Sequence, residues 1–337
     1  MHYLVTGHTG FKGAWLTLWL TSRGHEVSGL ALDPVFGSLY ESAGVADFVS
    51  TDARVDIRDS TGTAAAITDI APDFVFHLAA QPLVRESYRA PRATFETNVM
   101  GTLNVLEAVS LTSSVKAQII VTTDKVYRNL DQAKGYVETD PLGGDDPYSS
   151  SKAMADLLTQ SWVSSFGGVP TAIARAGNVI GGGDVSTDRL LPDLLRAFSA
   201  GVPAELRYPD AVRPWQHVLD CLNGYLMLSE ELLSGTGCGQ WNFGPGEASF
   251  VAVGEIAEIA SHLWGDGASW QAAGEDHPHE ANLLTLDATK AETELNWSNR
   301  LLFPTSLGWT IDWFRAVASG EHPREVTLSQ IDAFSKL

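Results

Sequence analysis

Cysteine is scarce in this chain of 337 residues, which contains only Cys221 and Cys238. Two cysteines cannot form the disulfide framework of a small secreted domain, and the scarcity favours a reducing compartment. We therefore predict that both thiols are structural.

Long apolar runs are also missing. No stretch approaches the roughly 20 apolar residues that a membrane-spanning helix needs. The first residues enter a strand directly, without the basic and apolar regions of a secretory leader. These features predict a cytoplasmic protein with no membrane partner.

Basic residues are outnumbered by acidic ones. The chain has 22 lysines and arginines against 41 aspartates and glutamates, a formal net charge of −19. Nucleic-acid binding is disfavoured, because it needs a basic face that neutralises phosphates. A negatively charged substrate would need a local cluster of arginines.

Short apolar runs alternate with helical patterns along the first half of the chain, which predicts an α/β fold with a Rossmann-like, doubly wound parallel sheet. Ser60 is the expected N-cap of the second helix. The predicted strands are 3–6, 27–32, 55–57, 74–78, 118–122 and 171–174, and the predicted helices are 11–22, about 60–70, about 91–110 and 148 to about 165.

Glycine, proline and tryptophan become more frequent after Arg175, and the predicted helices are shorter. We interpret this part as a smaller, interleaved α+β domain that binds the substrate. The expected division is a dinucleotide-binding domain of residues 1–175, completed by strand segments from about 213–245, and a mainly substrate-binding domain of residues 176–337.

A glycine-rich turn joins the first strand to the first helix. Its G-x-x-G-x-x-G spacing lets the backbone turn sharply and approach a pyrophosphate at the helix N-terminus. The strand–turn–helix context makes the pattern more specific than glycines alone. The cofactor-binding residues predicted here are Gly7, Thr9, Gly10, Phe11 and Gly13.

Asp33 follows the second strand, where a carboxylate can accept from a ribose 2′-hydroxyl and repel a 2′-phosphate, which favours NAD over NADP. A turn-forming aspartate before Pro34 is the alternative interpretation. Asp56 is the predicted partner of the adenine amino group, with Ile57 packing on the ring.

Small residues follow the fourth strand, as expected where a chain passes beneath a dinucleotide. Asn98 lies inside a helix and is either a surface residue or a buried one that braces the active-site strand. Further cofactor-binding residues predicted in this region are Leu78, Ala79, Ala80, Asn98 and Thr122.

Two segments carry the catalytic prediction. Tyr148 precedes Lys152 by four residues, so a helix places both on one face. A tyrosine titrates near ~10 and acts as a base at neutral pH only beside positive charge, which Lys152 and a bound nicotinamide would supply. Thr123, Asp124 and Lys125 end an apolar strand, although a simple ion pair is an alternative for the last two.

Together these motifs resemble the extended short-chain dehydrogenase/reductases. Thr-Asp followed by an acid resembles their nucleotide-sugar 4,6-dehydratases, and Lys125 replaces that acid as in CDP-glucose 4,6-dehydratases. The similarity runs from Leu4 to about Trp313. It rests on residues 7–13, 77–85, 123–125, 148–152, 175–184 and 213–218.

The resemblance implies an NAD-dependent dehydratase. Tyr148, supported by Lys152, would take the proton of the sugar 4-hydroxyl while Thr123 steadies the same oxygen. Lys125 would remove the C5 proton as a neutral amine, so its pKa is expected to be lowered. Asp124, when protonated, would donate to the departing 6-hydroxyl.

The nucleotide sugar is expected to meet polar residues around the carboxyl end of the sheet. Arg213 is the first choice for a bidentate phosphate contact, and a surface position is an equal alternative for Arg189. No metal is expected, although 277–280 superficially resembles a metal cluster. The predicted substrate-binding residues are Gln81, Arg85, Ser87, Asn178, Arg189, Arg213 and His279.

CDP-glucose is the substrate that the resemblance favours. The alternatives are a dehydratase or epimerase of a UDP-, dTDP- or GDP-linked sugar and, in a different class, an NAD-binding regulatory protein. The family usually pairs subunits through the helices near 91–110 and 148–165, which implies a homodimer and allows a tetramer.

Overall fold

The computed structural model describes residues 1–130, 132, 134–274 and 284–337. Its strands are β1 His2–Thr6, β2 Glu26–Ala31, β3 Thr51–Arg54, β4 Phe74–His77, β5 Ala117–Val121, β6 Thr171–Arg175, β7 Val179–Ile180, β8 Ala204–Leu206, β9 Val212–Pro214, β10 Gln216–His217, β11 Gly239–Asn242, β12 Phe250–Ala252 and β13 Trp270–Ala272.

The helices flank the strands on both sides. They are α1 Phe11–Ser22, α2 Leu39–Ser42, α3 Ser60–Ile70, α4 Val84–Arg89, α5 Pro91–Phe95, α6 Gly101–Leu111, α7 Pro147–Phe166, α8 Leu190–Ser199, α9 Val218–Ser234, α10 Val253–Trp264, α11 Thr289–Glu294, α12 Thr305–Ala318 and α13 Pro323–Ser335. A π-helical turn, Glu96–Met100, joins α5 to α6, and short 3₁₀ turns span Val45–Phe48, Asp124–Val126 and Glu247–Ser249.

A seven-stranded parallel sheet forms the centre, in the order β11-β6-β5-β4-β1-β2-β3. The order reverses between β1 and β4, and ligands of such sheets bind at the carboxyl ends of the strands beside that reversal. The predicted fold class is confirmed.

Two local predictions are wrong. The third strand is β3, Thr51–Arg54, and not 55–57, because its pairing with β2 ends where Arg54 faces Ala31. The N-cap of α3 is Asp59 rather than Ser60, since the Asp59 carboxylate accepts from the Gly62 amide at 3.1 Å.

The later strands divide between the main sheet and small pairs. Of the strands at 213–245, β11 joins the main sheet beside β6. The others pair outside it: β9 with β12 and β10 with β7. The domain boundary near Arg175 stays a prediction.

Three of the four apolar clusters in the described residues hold the main layers together. One covers a face of the sheet with the buried indoles of Trp15 and Trp19 on α1 and residues of α9, and a second packs α3 and α6 on the other face. The third joins α8, α10 and α12 in the later part of the chain. In the described part of the chain, no helix combines the length and apolar character that crossing a membrane requires.

Two core histidines are held neutral. Burial lowers the pKa of His77 and of His217 to about 3. The ring of His77 lies between the hydroxyls of Thr6 and Thr102, at 2.8 and 3.1 Å. The unfolded chain binds protons at these rings more readily than the folded protein does.

This difference predicts acid sensitivity. The stabilisation is complete above the ordinary histidine pKa of 6.5 and is lost as the pH falls towards about 3, by up to ~1.4 kcal/mol per pH unit for each histidine. His77→Gln should therefore make the free energy of unfolding in urea less dependent on pH between about 7 and 5. The exposed His262 supplies the control, His262→Gln, which should keep the wild-type slope. An unchanged slope in His77→Gln would contradict this assignment.

Candidate active site

The glycine turn between β1 and α1 approaches the chain after β4 closely. Gly7 has φ +74°, and a Cβ there would lie 2.8 Å from the Ala79 amide nitrogen. A Cβ at Gly13 would lie 2.2 Å from the Gly7 carbonyl oxygen. Gly10 caps α1 without a side-chain hydrogen bond, and the amides at the start of such a helix suit an anion.

The Thr9 hydroxyl donates to the Leu32 carbonyl at 3.1 Å and fixes the turn against the end of β2. Phe11 is half-buried and packs against the core. Leu78, Ala79 and Ala80 are partly exposed, and the amides of the first two donate to the Thr6 hydroxyl. The structure therefore brings the predicted turn and the predicted small residues together.

The region predicted to bind the adenosine part of the cofactor contains two carboxylates, and each has an arginine as a neighbour. Asp33 is 91% exposed and lies 3.8 Å from the Arg54 guanidinium. Asp56 binds Arg58 through both carboxylate oxygens, and these hydrogen bonds lower its pKa. Ile57 is buried against Gly101, so little of its surface is exposed to contact an adenine ring.

Asn98 is a buried residue that connects two segments, and it is not a surface residue. It lies in the π turn with 1% exposure. Its amide group donates to the Gln81 carbonyl at 3.1 Å and to the Ser151 hydroxyl at 2.9 Å, and its oxygen accepts from the Gln81 amide at 2.8 Å. Asn98 thus ties the loop after β4 to α7, the helix that carries Tyr148.

Asp124 lies at the centre of a buried cluster beyond β5. Its Oδ1 accepts from the Thr123 hydroxyl at 2.8 Å and from Lys125 Nζ at 3.2 Å. Its Oδ2 accepts from Asn178 Nδ2 at 3.4 Å. Asn178 adopts φ +49°, and a Cβ at Gly177 would lie 2.1 Å from the Asp124 carboxylate. The chain after β6 is therefore shaped around this group.

Tyr148 joins the same cluster. Burial raises its pKa, while the charge of Lys125 and a hydrogen bond with Thr123 oppose the increase. Lys152 was expected to be the main cation beside the phenol, but its ammonium group donates to the Val121 carbonyl at 2.8 Å. In this structure the positive charge that acts on Tyr148 comes chiefly from Lys125.

The pKa expected for Lys125 is wrong in direction. Burial lowers it, but the charge of Asp124, the electrostatic effect of Tyr148 and the hydrogen bond to Asp124 together outweigh burial and raise the pKa. A third of the side chain also remains exposed. In this state Lys125 is an ammonium ion paired with Asp124.

A buried ion pair that the sequence analysis missed supports this strand end. Asp156 on α7 binds Arg175 at the end of β6 through two hydrogen bonds of 2.8 Å, and both side chains have no exposed surface. Asp156 also accepts from the Thr122 hydroxyl at 3.1 Å. An arginine that ends an otherwise apolar strand was the available signal.

Several predicted substrate residues are engaged within the chain. Gln81 donates to the Thr94 hydroxyl at 2.9 Å and to the Leu83 carbonyl at 3.1 Å. Ser87 is fully buried and its hydroxyl donates to the Val84 carbonyl at 2.6 Å, so it faces the interior. The role of Ser87 as a sugar contact stays a prediction, and this internal hydrogen bond does not support it.

Four arginines either form ion pairs after β7 or lie near Lys125. Arg85 and Arg207 share the carboxylate of Asp188, at 3.1 and 3.5 Å, and Arg189 pairs with Asp184 at 3.2 Å. Arg213 lies close enough to Lys125 to lower its pKa. The predicted His279 lies outside the described residues, and within those residues no group of three or more His, Cys, Asp and Glu side chains could hold a metal.

A comparison with protein families shows how this chain is related to known proteins. Residues 4–307 match the family described as GDP-mannose 4,6 dehydratase. The chain belongs to this dehydratase family. The resemblance drawn from its motifs is thereby confirmed.

Individual members resemble the chain over most of its length. The CDP-glucose 4,6-dehydratase of Salmonella typhimurium is 45% identical, with 94% of this chain and 91% of that protein covered. The dTDP-glucose 4,6-dehydratase of Mycolicibacterium smegmatis is 30% identical over 97% of both. A structure of the dTDP-glucose 4,6-dehydratase DesIV of Streptomyces venezuelae, with NAD bound, is 25% identical with a TM-score of 0.82, over 96% of this chain and 100% of that one.

The close packing at Gly177 gives a test of this dehydratase site. Gly177→Ala should push the Asp124 carboxylate out of place and lower the free energy of unfolding by about 1–3 kcal/mol, measured by urea denaturation. Gly308→Ala is the matched control, because a Cβ at Gly308 on α12 meets nothing within 4 Å. A Gly177→Ala protein as stable as the control would show that the cleft accommodates the methyl group.

Proposed function

We propose that the protein is an NAD-dependent CDP-glucose 4,6-dehydratase, which converts CDP-glucose to CDP-4-keto-6-deoxyglucose and water. The observation that carries the proposal is the buried cluster in which Thr123, Asp124 and Lys125 meet Tyr148. The 45% identity to the Salmonella enzyme supports the choice of nucleotide.

The residues present fit NAD. The glycines at 7 and 13 remove the side chains that would block a close backbone approach, and the amides at the start of α1 suit its pyrophosphate. The exposed Asp33 suits an unphosphorylated ribose. When bound, NAD accepts a hydride from C4 of the sugar and returns it to C6, so the reaction has no net redox change.

Tyr148 removes the proton of the 4-hydroxyl. Burial opposes the phenolate, so Tyr148 depends on the positive charge of Lys125 and on the Thr123 hydroxyl, both of which lower its pKa. Thr123 is also placed to hydrogen-bond the same sugar oxygen while the carbonyl forms. The resulting 4-keto group makes the C5 proton acidic.

Asp124 and Lys125 perform the elimination as a pair. The ammonium of Lys125 lies 3.2 Å from Asp124 Oδ1. Transfer of one proton across this hydrogen bond gives a neutral amine and a carboxylic acid. The amine then removes the C5 proton, and the acid donates its proton to the departing 6-hydroxyl, which leaves as water. The raised pKa of Lys125 opposes this transfer, so the neutral amine forms only when Asp124 takes the proton.

The arginines near Asp188 and Lys125 suit the diphosphate of the substrate. Arg85 and Arg207 converge on one carboxylate, Asp188, which has φ +61°. A substrate phosphate can take the place of that carboxylate, because guanidinium groups bind both in a bidentate manner. Arg213, close to Lys125, would hold the phosphate nearer the sugar.

The exposed apolar face of the long helices supports a homodimer. A cleft of about 400 Å³ lined by Phe95, Val99, Met100 and Met154 opens between α7 and the α5–α6 segment. Met100 and Met154 are about half exposed. A second copy of the chain would cover this face, as the family resemblance implies. The cytoplasmic location remains a prediction.

Incubation with CDP-, dTDP-, GDP- and UDP-glucose tests the substrate, with the 4-keto product detected by mass spectrometry. CDP-glucose should be converted to a product lighter by one water. A 4-keto product from dTDP-glucose alone would contradict the CDP assignment, and a 4-epimer without loss of water would indicate an epimerase. Absence of turnover on every sugar would favour an NAD-binding regulator.

Lys125→Met tests the proposed base. Turnover should fall by ~10²–10⁴-fold, the usual contribution of a general base, and exchange of the C5 proton with deuterated solvent should stop. Oxidation at C4 should become slower, because Tyr148 loses the positive charge of Lys125, but it should still be visible as NADH absorbance on the enzyme. Lys116→Met, at an exposed lysine, is the matched control. Retained C5 exchange in Lys125→Met would rule out the assignment.

A further inference from the structure

Arg54 is a cation of the cofactor region to which the proposed reaction gives no role. It is the last residue of the edge strand β3. Its Nη1 donates to the Leu32 carbonyl at 3.2 Å, and the same carbonyl accepts from the Thr9 hydroxyl of the glycine-rich turn at 3.1 Å. One oxygen atom therefore joins Arg54 to the turn that is predicted to hold the pyrophosphate.

Neighbouring side chains hold the guanidinium in a fixed place. Nη2 of Arg54 donates to Asp52 Oδ2 at 2.7 Å and to the Tyr40 hydroxyl at 3.0 Å. The guanidinium carbon lies 5.0 Å from the centre of the Tyr40 ring. Asp52 is itself fixed, because the Tyr40 hydroxyl donates to its Oδ2 at 2.5 Å and His8 Nε2 lies 2.8 Å from its Oδ1. A guanidinium that is already ordered loses little entropy when it binds an anion.

The third nitrogen of the guanidinium faces Asp33. Nε lies 3.8 Å from Asp33 Oδ1, which is close enough for an ion pair but too long for a hydrogen bond. Within the described part of the chain, the hydrogen bonds of this guanidinium come from Nη1 and Nη2. The side chain of Asp33 is 91% exposed and that of Arg54 is 31% exposed. Arg54 therefore keeps a donor for a ligand on the side where the ribose is predicted.

The balance of charge around Arg54 depends on Asp33. Burial lowers the pKa of His8, so its ring is uncharged at neutral pH. Asp33 and Asp52 then place two negative charges beside one guanidinium, and the group as a whole repels a further anion. Without Asp33 the guanidinium and Asp52 balance each other, and Arg54 can bind a phosphate through charge-assisted hydrogen bonds.

We propose that Arg54 is a specificity-determining residue for the cofactor: its fixed guanidinium can bind a ribose 2′-phosphate, and Asp33 prevents this by repelling the phosphate. The preference for NAD then depends on one exposed carboxylate in front of a preformed site for NADP. This inference rests on the predicted position of the ribose beside Asp33. It does not depend on which sugar the enzyme converts.

Asp33→Asn tests the proposal through binding alone. The affinities for NADH and NADPH are measured by isothermal titration, without sugar, on protein stripped of nucleotide with charcoal. Asp33→Asn should bind NADPH ~10–100-fold more tightly than the wild type does, the usual effect of a hydrogen bond to a charged group. Its affinity for NADH should fall only about 2–10-fold, because the amide oxygen still accepts from the 2′-hydroxyl. Asp332→Asn, at an exposed carboxylate of α13, should change neither affinity.

A second substitution identifies Arg54 as the group that binds the phosphate. Asp33→Asn combined with Arg54→Met should lose the gain for NADPH and keep the NADH affinity of Asp33→Asn. Asp33→Asn with Arg54→Lys, which keeps the charge without the planar group, should retain part of the gain, and it serves if the Met variant does not fold.

Three results would overturn the proposal. They are an unchanged NADPH affinity in Asp33→Asn, a gain that survives the loss of Arg54, and an equal loss of NADH and NADPH affinity in the double variant, which would make Arg54 a general cofactor contact. A failure to convert CDP-glucose would contradict the proposed function and leave these binding results unaffected.

Discussion

The buried pair of Asp156 and Arg175 fixes the part of the molecule on which the site depends. It joins α7 to the end of β6, and Asp156 reaches the end of β5 through Thr122. Arg175 also donates to the Tyr127 hydroxyl at 2.7 Å, and Tyr127 donates to Asn242 of β11 at 2.8 Å. Three strand ends and the helix of Tyr148 are therefore joined by direct hydrogen bonds. Removing one partner of such a pair typically costs about 3–5 kcal/mol, because the other charge stays buried.

The site concentrates positive charge in an acidic protein. Lys12, Lys125 and Lys152 lie within electrostatic range of the buried cluster, and Arg189 and Arg213 lie at its edge. These cations surround one carboxylate, that of Asp124, which lies at the centre of the cluster. An anionic substrate and an oxyanion on the sugar both gain from this arrangement, since low dielectric strengthens each interaction.

The fold and the main motifs could be predicted from the sequence because they follow from local patterns. Residues that are neighbours in the sequence suffice to recognise these patterns. They are the strand and helix periodicity, the glycine spacing at 7–13 and the four-residue step from Tyr148 to Lys152. The third strand was misplaced because the edge strand β3 is polar, with the sequence Thr-Asp-Ala-Arg, and lacks an apolar pattern.

The remaining details depend on contacts between distant segments. The direction of the pKa shift of Lys125 depends on how far Asp124 and Tyr148 outweigh burial, and no spacing reveals that balance. Ser87 and Gln81 are polar residues near a cleft, yet their hydrogen bonds to Val84 and Thr94 turn them inward.

The π turn at Glu96–Met100 has a further consequence for the helix that contains it. One additional residue in a turn rotates everything beyond it by about 100° relative to a regular helix. Within the turn, Asn98 points into the protein and Met100, two residues later, is about half exposed. Deletion of a single residue from the turn would change the phase of α6 and turn Val105 and Val109 away from the core. The length of this turn therefore sets, in one step, which residues of α6 face the core.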